Sequence, residues 1–455
     1  MSLYKRTATT AIALLTTTIG AQSFATDARS IALGGSAIAN GLGVHGAMEN
    51  PAVLARLKRD GQKYHFRFGI TGEARDEAGA VDIFTDDENK TVLGDIEQEI
   101  DILSSSPITC NPLDLDPSQV CLTGTQAVAD LSARLLDIID SLDNNSGSAT
   151  VAVNVGAALT GTRIPVAINF RAAGTGFVTP DISDSDQAYI AEFESLLSDD
   201  QLLLDEAVNS SFLQTNAFGL PLNVTQPEDI LTSTGELHVL VRNEFSVNLA
   251  RSFAIGGLNI DAGITPKFSS ITTNNLVVSA SEEFENTTST AADRFDDSES
   301  DDTSFTFDIG GSMQLEKFPI RVAAVLRNVI PESITDDSGF EFETTPQLIV
   351  GGHMQKGIAS LTADLALNEA DVDNLETQRL AIGVEIGTPI LALRAGINHD
   401  IARDYEATSL SLGAGLGPLQ FGASLTGIES IEAGLQLSYS SVSYTHLTLP
   451  TILLV

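Results

Sequence analysis

The sequence predicts an all-β protein, a transmembrane antiparallel up-and-down β-barrel of about fourteen strands, and three observations carry that prediction. The first is a stretch of near-unbroken alternation from about Arg379 to Tyr439. Leu380, Ile382, Val384 and Ile386 are followed by Leu391, Leu393, Ala395 and Ile397, then by Leu410, Leu412, Ala414 and Leu416. Leu419, Phe421, Ala423 and Leu425 come next, and Ile431, Ala433, Leu435, Leu437 and Tyr439 close the series. Successive side chains of a strand leave opposite faces of the pleat, so a period of two means strands, here five in a row.

The second observation is the composition of the other face. Gly, Ser, Thr, Asn, Gln and scattered charges suit a wet lumen behind an aliphatic exterior. The third is the alternation of connection lengths. Counting strands along the chain, every even-to-odd link is a tight turn, at Gly161, Gly256, Lys317, Lys356, Gly387 and Gly417, and the long excursions fall between odd strands and the next even ones. Short periplasmic turns and longer extracellular loops produce that pattern in an antiparallel barrel, and a soluble sandwich would break it.

The earlier strands follow in order. The first, about Gln62 to Gly72, sets Tyr64, Phe66, Phe68 and Ile70 against His65, Arg67 and Thr71. A hairpin comes next, Val151 to Leu159 and Val166 to Phe170. The fourth strand sets Leu237, Val239, Val241, Phe245, Val247 and Leu249 against His238, Arg242, Glu244, Ser246 and Asn248, and the fifth runs from Leu258 to Phe268. Phe305 to Leu315 and Phe318 to Leu326 are the sixth and seventh. Glu341 to Met354 and Ile358 to Leu367 are the eighth and ninth.

Three excursions interrupt the wall. Residues 75–147 hold two helical patterns, Val92, Ile96, Ile100, Leu103 and then Val128, Leu131, Leu135, Ile138, Leu142, at spacings of three and four. Residues 178–232 include an acidic helical run from Asp184 to Asn209. A third loop, about 275–302, ends in an acidic run from Asp296 to Asp302, which lacks the spaced ligands and the Gly of an EF-hand and reads as a solvated loop.

Composition narrows the function. The 455 residues carry a net charge of −37, a pI of about 4.2 and only 24 Lys and Arg, which excludes nucleic acid as a partner because phosphate binding needs basic stripes. Residues 1–25 read as a secretory signal: Lys5 and Arg6, a threonine-rich apolar run from Thr7 to Ala21, then Ser23-Phe24-Ala25 before the expected cleavage. An exported chain without a helical span but with many alternating strands belongs in the outer membrane of a Gram-negative bacterium, against lipid and lipopolysaccharide, and it is expected to be a monomer. Residues 442–455, opening Val442-Ser443-Tyr444-Thr445-His446, resemble the translation of a sequencing adaptor and are set aside, so that the barrel is expected over 60–441 and its natural terminus is expected to be missing.

The only two thiols, Cys110 and Cys121, are expected to close a loop as a disulfide in an exported protein. Parity places Arg67, Arg171, Arg242, Lys267, Arg321, Arg327 and Arg394 in the lumen beside Glu244, Asp261, Asp308, Asp364, Glu385 and Glu432. Slipping the seventh strand by one residue would turn Arg321 and Arg327 to lipid at roughly 2–4 kcal/mol each near the midplane, so the register is well specified. The mixed signs point to ion pairs bracing the inner wall, with substrate contact as the alternative.

No enzymatic chemistry is legible. None of the six His lies in H-E-x-x-H and no Ser lies in G-x-S-x-G, and no cofactor or metal is expected. Gly41, Gly43 and Gly46 match G-x-G-x-x-G, but no strand precedes them and no βαβ unit follows, so they read as flexible backbone.

Residues 26–59 contain Asp27-Ala28-Arg29-Ser30-Ile31-Ala32-Leu33-Gly34-Gly35 and then Asn50-Pro51-Ala52-Val53-Leu54. This segment is too Gly/Ala-rich for a core of its own and must pack on something else. Its two motifs resemble the start of FadL-like outer-membrane barrels of the long-chain fatty acid transporter type, closest to the branch of TraF-type plasmid conjugal transfer proteins. The resemblance implies that residues 26–59 are a hatch plugging the barrel, with Gly34, Gly35, Asn50, Pro51 and Ala52 as its motif. It also implies uptake of a small hydrophobic molecule through a lateral exit at an inward kink of the third strand, where Gly174 and Gly176 stand. The acidic loops would repel a fatty carboxylate, so the ligand is neutral or the role differs. The rival expectation is a TraF-type component of conjugal transfer or cell contact with no transport. The thioredoxin-like proteins sharing that name are excluded, since their C-x-x-C is missing.

Overall fold

The computed structural model describes residues 27–59, 61–76, 133, 147–197, 213–215, 221–224, 232–256, 258–279, 293–315, 318–388, 390–402, 408–426 and 430–442. The expected leader, the helical patterns of 75–147 with Cys110 and Cys121, and the tail beyond Val442 lie outside them. The helices are α1 (Ala28–Ala32), α2 (Gly43–Glu49), α3 (Val53–Arg59) and α4 (Asp184–Leu197). The strands are β1 (Gln62–Asp76), β2 (Gly147–Leu159), β3 (Val166–Asp181), β4 (Leu213–Thr215), β5 (Pro221–Val224), β6 (Thr234–Ile255), β7 (Leu258–Ser279), β8 (Ser300–Gln314), β9 (Ile320–Arg327) and β10 (Glu332–Thr335). They continue with β11 (Glu341–Thr344), β12 (Gln347–Lys356), β13 (Ala359–Ala366), β14 (Ala370–Val372), β15 (Leu375–Thr377), β16 (Arg379–Gly387), β17 (Leu391–Asp400), β18 (Thr408–Leu416), β19 (Leu419–Thr426) and β20 (Ser430–Val442).

Fourteen of these strands form one closed antiparallel barrel in the order β1-β2-β3-β6-β7-β8-β9-β12-β13-β16-β17-β18-β19-β20. The ladder closes because β1 pairs with both β2 and β20. Across the closing seam the alternation is in phase: Phe66 stands opposite Tyr439 and Phe68 opposite Leu437, while Arg67 stands opposite Ser438. The register therefore keeps apolar rows on one side and polar rows on the other, as a period-two pattern requires.

The outer face is aliphatic and bare. Leu393, Leu410, Leu412 and Phe421 are each more than half exposed, and they belong to a belt that continues through Phe66, Phe68, Phe170, Ile309 and Ile382. The inner face holds Arg67, Asn154, Asn248, Ser411 and Gln436, all buried. A greasy outside on a closed cylinder is the inverse of a water-soluble barrel, and it places the chain in an outer membrane. β6 and β7 have 22 residues each, about twice the 9–11 that a bilayer needs, so this hairpin stands well clear of the lipid.

Two expectations are corrected. The eighth strand does not run from Glu341 to Met354. Glu341–Thr344 turns back on Glu332–Thr335 as a separate hairpin, and the wall resumes only at Gln347, after Pro346, which has no N–H to give a ladder. The third loop is also shorter than expected, because β7 reaches Ser279 and β8 begins at Ser300, so that Asp301 and Asp302 of the acidic run lie in the ladder opposite Thr272 and Ile271. Of the acidic helical run, Asp184–Leu197 is described and is helical.

Candidate functional site

The N-terminal segment lies inside the barrel. Asp27 starts it by capping α1, its Oδ1 accepting from the Arg29 N–H at 2.7 Å and the Ser30 N–H at 2.9 Å, which satisfies donors a helix start otherwise leaves open. Gly34 and Gly35 end the helix with φ of +69° and +88°, a region where a side chain is strained. Gly34 also lies so close to the wall that a Cβ there would sit 2.6 Å from the Ile397 carbonyl oxygen. The chain then presents the Ala37 and Ile38 N–H groups to Asp364 Oδ2, at 2.5 and 3.0 Å.

Asn50 is the central staple. Fully buried, it donates from Nδ2 to the Ile38 carbonyl at 3.0 Å and to the Gly311 carbonyl of β8 at 3.3 Å, while its Oδ1 accepts from the Ala52 N–H at 3.0 Å. One side chain thus joins two parts of the plug to the wall and fixes the turn into α3. Pro51 lies against Gly263 and Gly310, and Ala52 is buried with α3.

The wall is shaped to receive this segment. A Cβ on Gly263 would lie 2.6 Å from the Pro51 carbonyl carbon, one on Gly310 would lie 2.8 Å from Pro51 Cδ and against the Asn50 amide, and one on Gly383 would lie 2.7 Å from Leu33 Cβ. Gly396, Gly413 and Gly422 similarly abut Gly34, Ala32 and Ala28. These glycines face one another across the ladder: Gly263 opposite Gly310, Gly383 opposite Gly396, Gly413 opposite Gly422. Their function is close approach of backbone to backbone. Gly41 and Gly46, in the G-x-G-x-x-G match, do the same within the plug, where a Cβ on Gly41 would lie 2.6 Å from Gly46 Cα.

Charge completes the seat. Arg29 of α1 and Arg394 of β17 both reach Glu385 of β16, at 3.0 and 2.5 Å, and Arg29 also donates to Asn40. Arg59 pairs with Asp261 through two 3.0 Å bonds, Arg327 pairs with Glu49, and Arg321 donates to the Ala39 carbonyl. Arg67 is completely buried and donates to Met48 Sδ at 3.1 Å. Lys267–Asp308, at 2.8 Å, joins wall to wall, and Arg171 stands opposite Glu244 in the β3–β6 ladder.

The outer mouth carries a second insert. The hairpins β10–β11 and β14–β15 are joined to each other by the Asn374 N–H to Glu343 carbonyl and Thr345 N–H to Asp371 carbonyl bonds, each 2.9 Å. Their Ile334, Phe342 and Leu375 form a buried cluster with Phe177, Leu240 and Ile271 of the inner wall. His238 of β6 is buried between Asp336 at 2.8 Å and Glu236 at 3.1 Å, and Phe340 stacks on its ring with centroids 4.0 Å apart. Arg242 reaches Glu332 and Asp373 at 2.5 Å each.

A family model described as F plasmid transfer operon, TraF, protein matches residues 47–365, well over half of the chain. The chain belongs to this TraF family. No curated protein matches it. Among solved structures, the Ralstonia pickettii toluene transporter TbuX is 12% identical with a TM-score of 0.43, covering 93% of this chain and 98% of that one. The Pseudomonas putida toluene transporter TodX is 11% identical with a TM-score of 0.40, covering 93% and 99%. A Pseudomonas aeruginosa FadL homologue is 8% identical with a TM-score of 0.40, covering 93% and 100%.

In this TraF-family barrel the ladder runs unbroken past the position expected for the kink. β3 pairs with β2 and with β6 without a register break from Ala172 to Val178, so Gly174 and Gly176 have ladder partners on both sides and open no gap. The plug-motif residues and several of the lumen charges named from the sequence take part in these contacts. Sequence reasoning missed the glycine seat and the outer hairpins. The signal for the seat was present, since glycines recur at inward positions and pair across adjacent strands. Among the described residues, no group of three His, Cys, Asp or Glu is placed to hold a metal.

The outer hairpins respond to acid in a defined direction. Burial pushes the Asp336 carboxyl up, but hydrogen bonds from Ser338, His238 and the Phe340 N–H outweigh it and hold the group below its ordinary value of 3.8. A depressed carboxylate contributes stability above its unfolded pKa and loses it as pH falls through the folded one. Amide exchange in 332–344, corrected for intrinsic rates, is therefore expected to rise as the pH falls below about 4. Asp336→Asn removes that acid step, and an unchanged step in this variant contradicts the assignment.

Proposed function

We propose that this TraF-family barrel is an outer-membrane uptake port for a small, uncharged hydrophobic molecule, closed at rest by its N-terminal plug. The observation that carries the reading is the plug itself. A barrel of about eight strands is filled by its own side chains, whereas this wider one is filled by a separate segment. That segment is held by hydrogen bonds and ion pairs, without a covalent tie in residues 27–59 before β1. A scaffold with no traffic needs no such lumen. The apolar inner patch of Phe177, Leu240 and Ile271 beneath the outer hairpins supports an apolar permeant. The exposed Glu341, Glu343 and Glu376 on those hairpins favour one without negative charge.

Tethering the plug tests this. In Ala39→Cys with Ala323→Cys the two small side chains belong to one buried cluster between plug and wall, where a thiol adds little bulk. Cells carrying this variant are expected to take up a radiolabelled monoaromatic hydrocarbon when reduced and to fall to the level of cells without the protein when oxidised. Equal uptake in both states rejects the plug as the gate. A second reading, a part in plasmid transfer or cell contact without transport, is supported by the family description. Under that reading the oxidised variant restores mating frequency fully while uptake never exceeds background.

A further inference from the structure

We propose that the hairpins β10–β11 and β14–β15 form a hinged lid over the outer mouth, latched by Arg242, and that this lid opens independently of the N-terminal plug. The hairpins leave the wall between β9 and β12 and between β13 and β16, yet they come to rest on the inner face of β3, β6 and β7, several strands further round the cylinder. The lid is thus attached on one side of the mouth and caught on the other. Because the two hairpins bond to each other through Asn374, Thr345 and Thr344, they move as one body.

Arg242 of the wall holds both hairpins by charge. Its Nη2 lies 2.5 Å from Glu332 at the start of the first hairpin and 2.5 Å from Asp373 in the turn of the second. Asp373 and Asn374 have φ of +49° and +67°, the left-handed pair of a tight two-residue hairpin turn, so the carboxylate is presented on a rigid tip. Without the guanidinium, two carboxylates are left close together in a mostly dry site, and each repels the other. The remaining catch, His238 with Asp336 and the stacked Phe340, belongs to the first hairpin alone. Among the described residues, the ion pairs of these groups run between the wall and the lid, whereas the plug is seated at Gly263, Gly310, Gly383 and Gly396. A permeant therefore meets two separate closures in series.

The test is hydrogen exchange on the full chain in detergent micelles, which reads the lid directly and does not depend on anything being transported. Arg242→Ala is expected to speed exchange at Ile334, Phe342 and Leu375 by about 10²-fold, with exchange at residues 28–57 unchanged. In the triple variant Arg242→Ala, Glu332→Gln, Asp373→Asn the repulsion is gone, and most of the protection is expected to return. Unchanged lid exchange in Arg242→Ala overturns the latch. Equal acceleration in the lid and the plug overturns their independence, because Arg242 would then brace the whole barrel.

Discussion

Valine at Gly310 is expected to drive the plug off the wall while the barrel stays closed. The added carbon would press on the Asn50 amide and lie 2.8 Å from Pro51 Cδ, and neither the proline ring nor an amide pinned by three hydrogen bonds has room to yield. Overpacking of this kind costs about 1–3 kcal/mol. The displaced Asn50 also loses its bonds to the Ile38 and Gly311 carbonyls, at about 1 kcal/mol each. Protection of plug amides at 28–57 should fall by roughly 10²-fold or more, since 1.4 kcal/mol is a factor of ten. Gly263→Val, which presses on Pro51 from the neighbouring strand, should act in the same direction. Gly174→Val, whose Cβ meets nothing within 4 Å, is the control and should leave the plug seated. Normal protection in both seat variants would mean that the plug does not rest on this wall.

Arginine at Leu412 is expected to cripple assembly of the whole barrel. Leu412 is the middle residue of β18 and is 68% exposed, with Ala395 and Ala423 as its ladder neighbours. An arginine facing hydrocarbon near the midplane costs about 2–4 kcal/mol in such barrels. The urea midpoint in vesicles and the yield of folded protein should both drop, and Leu412→Ala should recover most of the loss. If Leu412→Arg folds as readily as Leu412→Ala, this face does not meet lipid.

The strands were legible because a half-buried pleat leaves a period of two that no helix or loop reproduces. β16 to β20 show it without interruption, and the tight turns at Gly161, Gly256 and Gly417 fixed which ends lie together. The same pattern explains the principal error. Glu341-Phe342-Glu343-Thr344 alternates as regularly as the wall does, so nothing in its period distinguishes a lid hairpin from a barrel strand. Only Pro346 marked the break. Gly174 and Gly176 read differently in the structure: glycine permits a bend, but here both edges of the strand are paired without a register break. The seat at Gly263, Gly310, Gly383 and Gly396 was hidden because glycine on an inward face reads as a small neutral filler. Its meaning appears only when the plug is laid against the wall, since nothing in the strands themselves points to Leu33, Asn50 or Pro51 as their neighbours. The staple made by Asn50 was visible as a motif, yet its partner Gly311 lies far along the chain and carries no mark of the contact.

The plug precedes every barrel strand in the sequence, but α1 rests on β17, β18 and β19, which follow it at a great distance along the chain. A polypeptide delivered from its N-terminal side must keep those residues waiting until β17 to β19 arrive. If the seam between β1 and β20 zipped first, the insert would have to be swallowed through the turn-lined end. Biogenesis is thus simplest when the cylinder is wound around its own occupant, and a sequence lesion in the opening motif would surface as delayed closure as well as leakage.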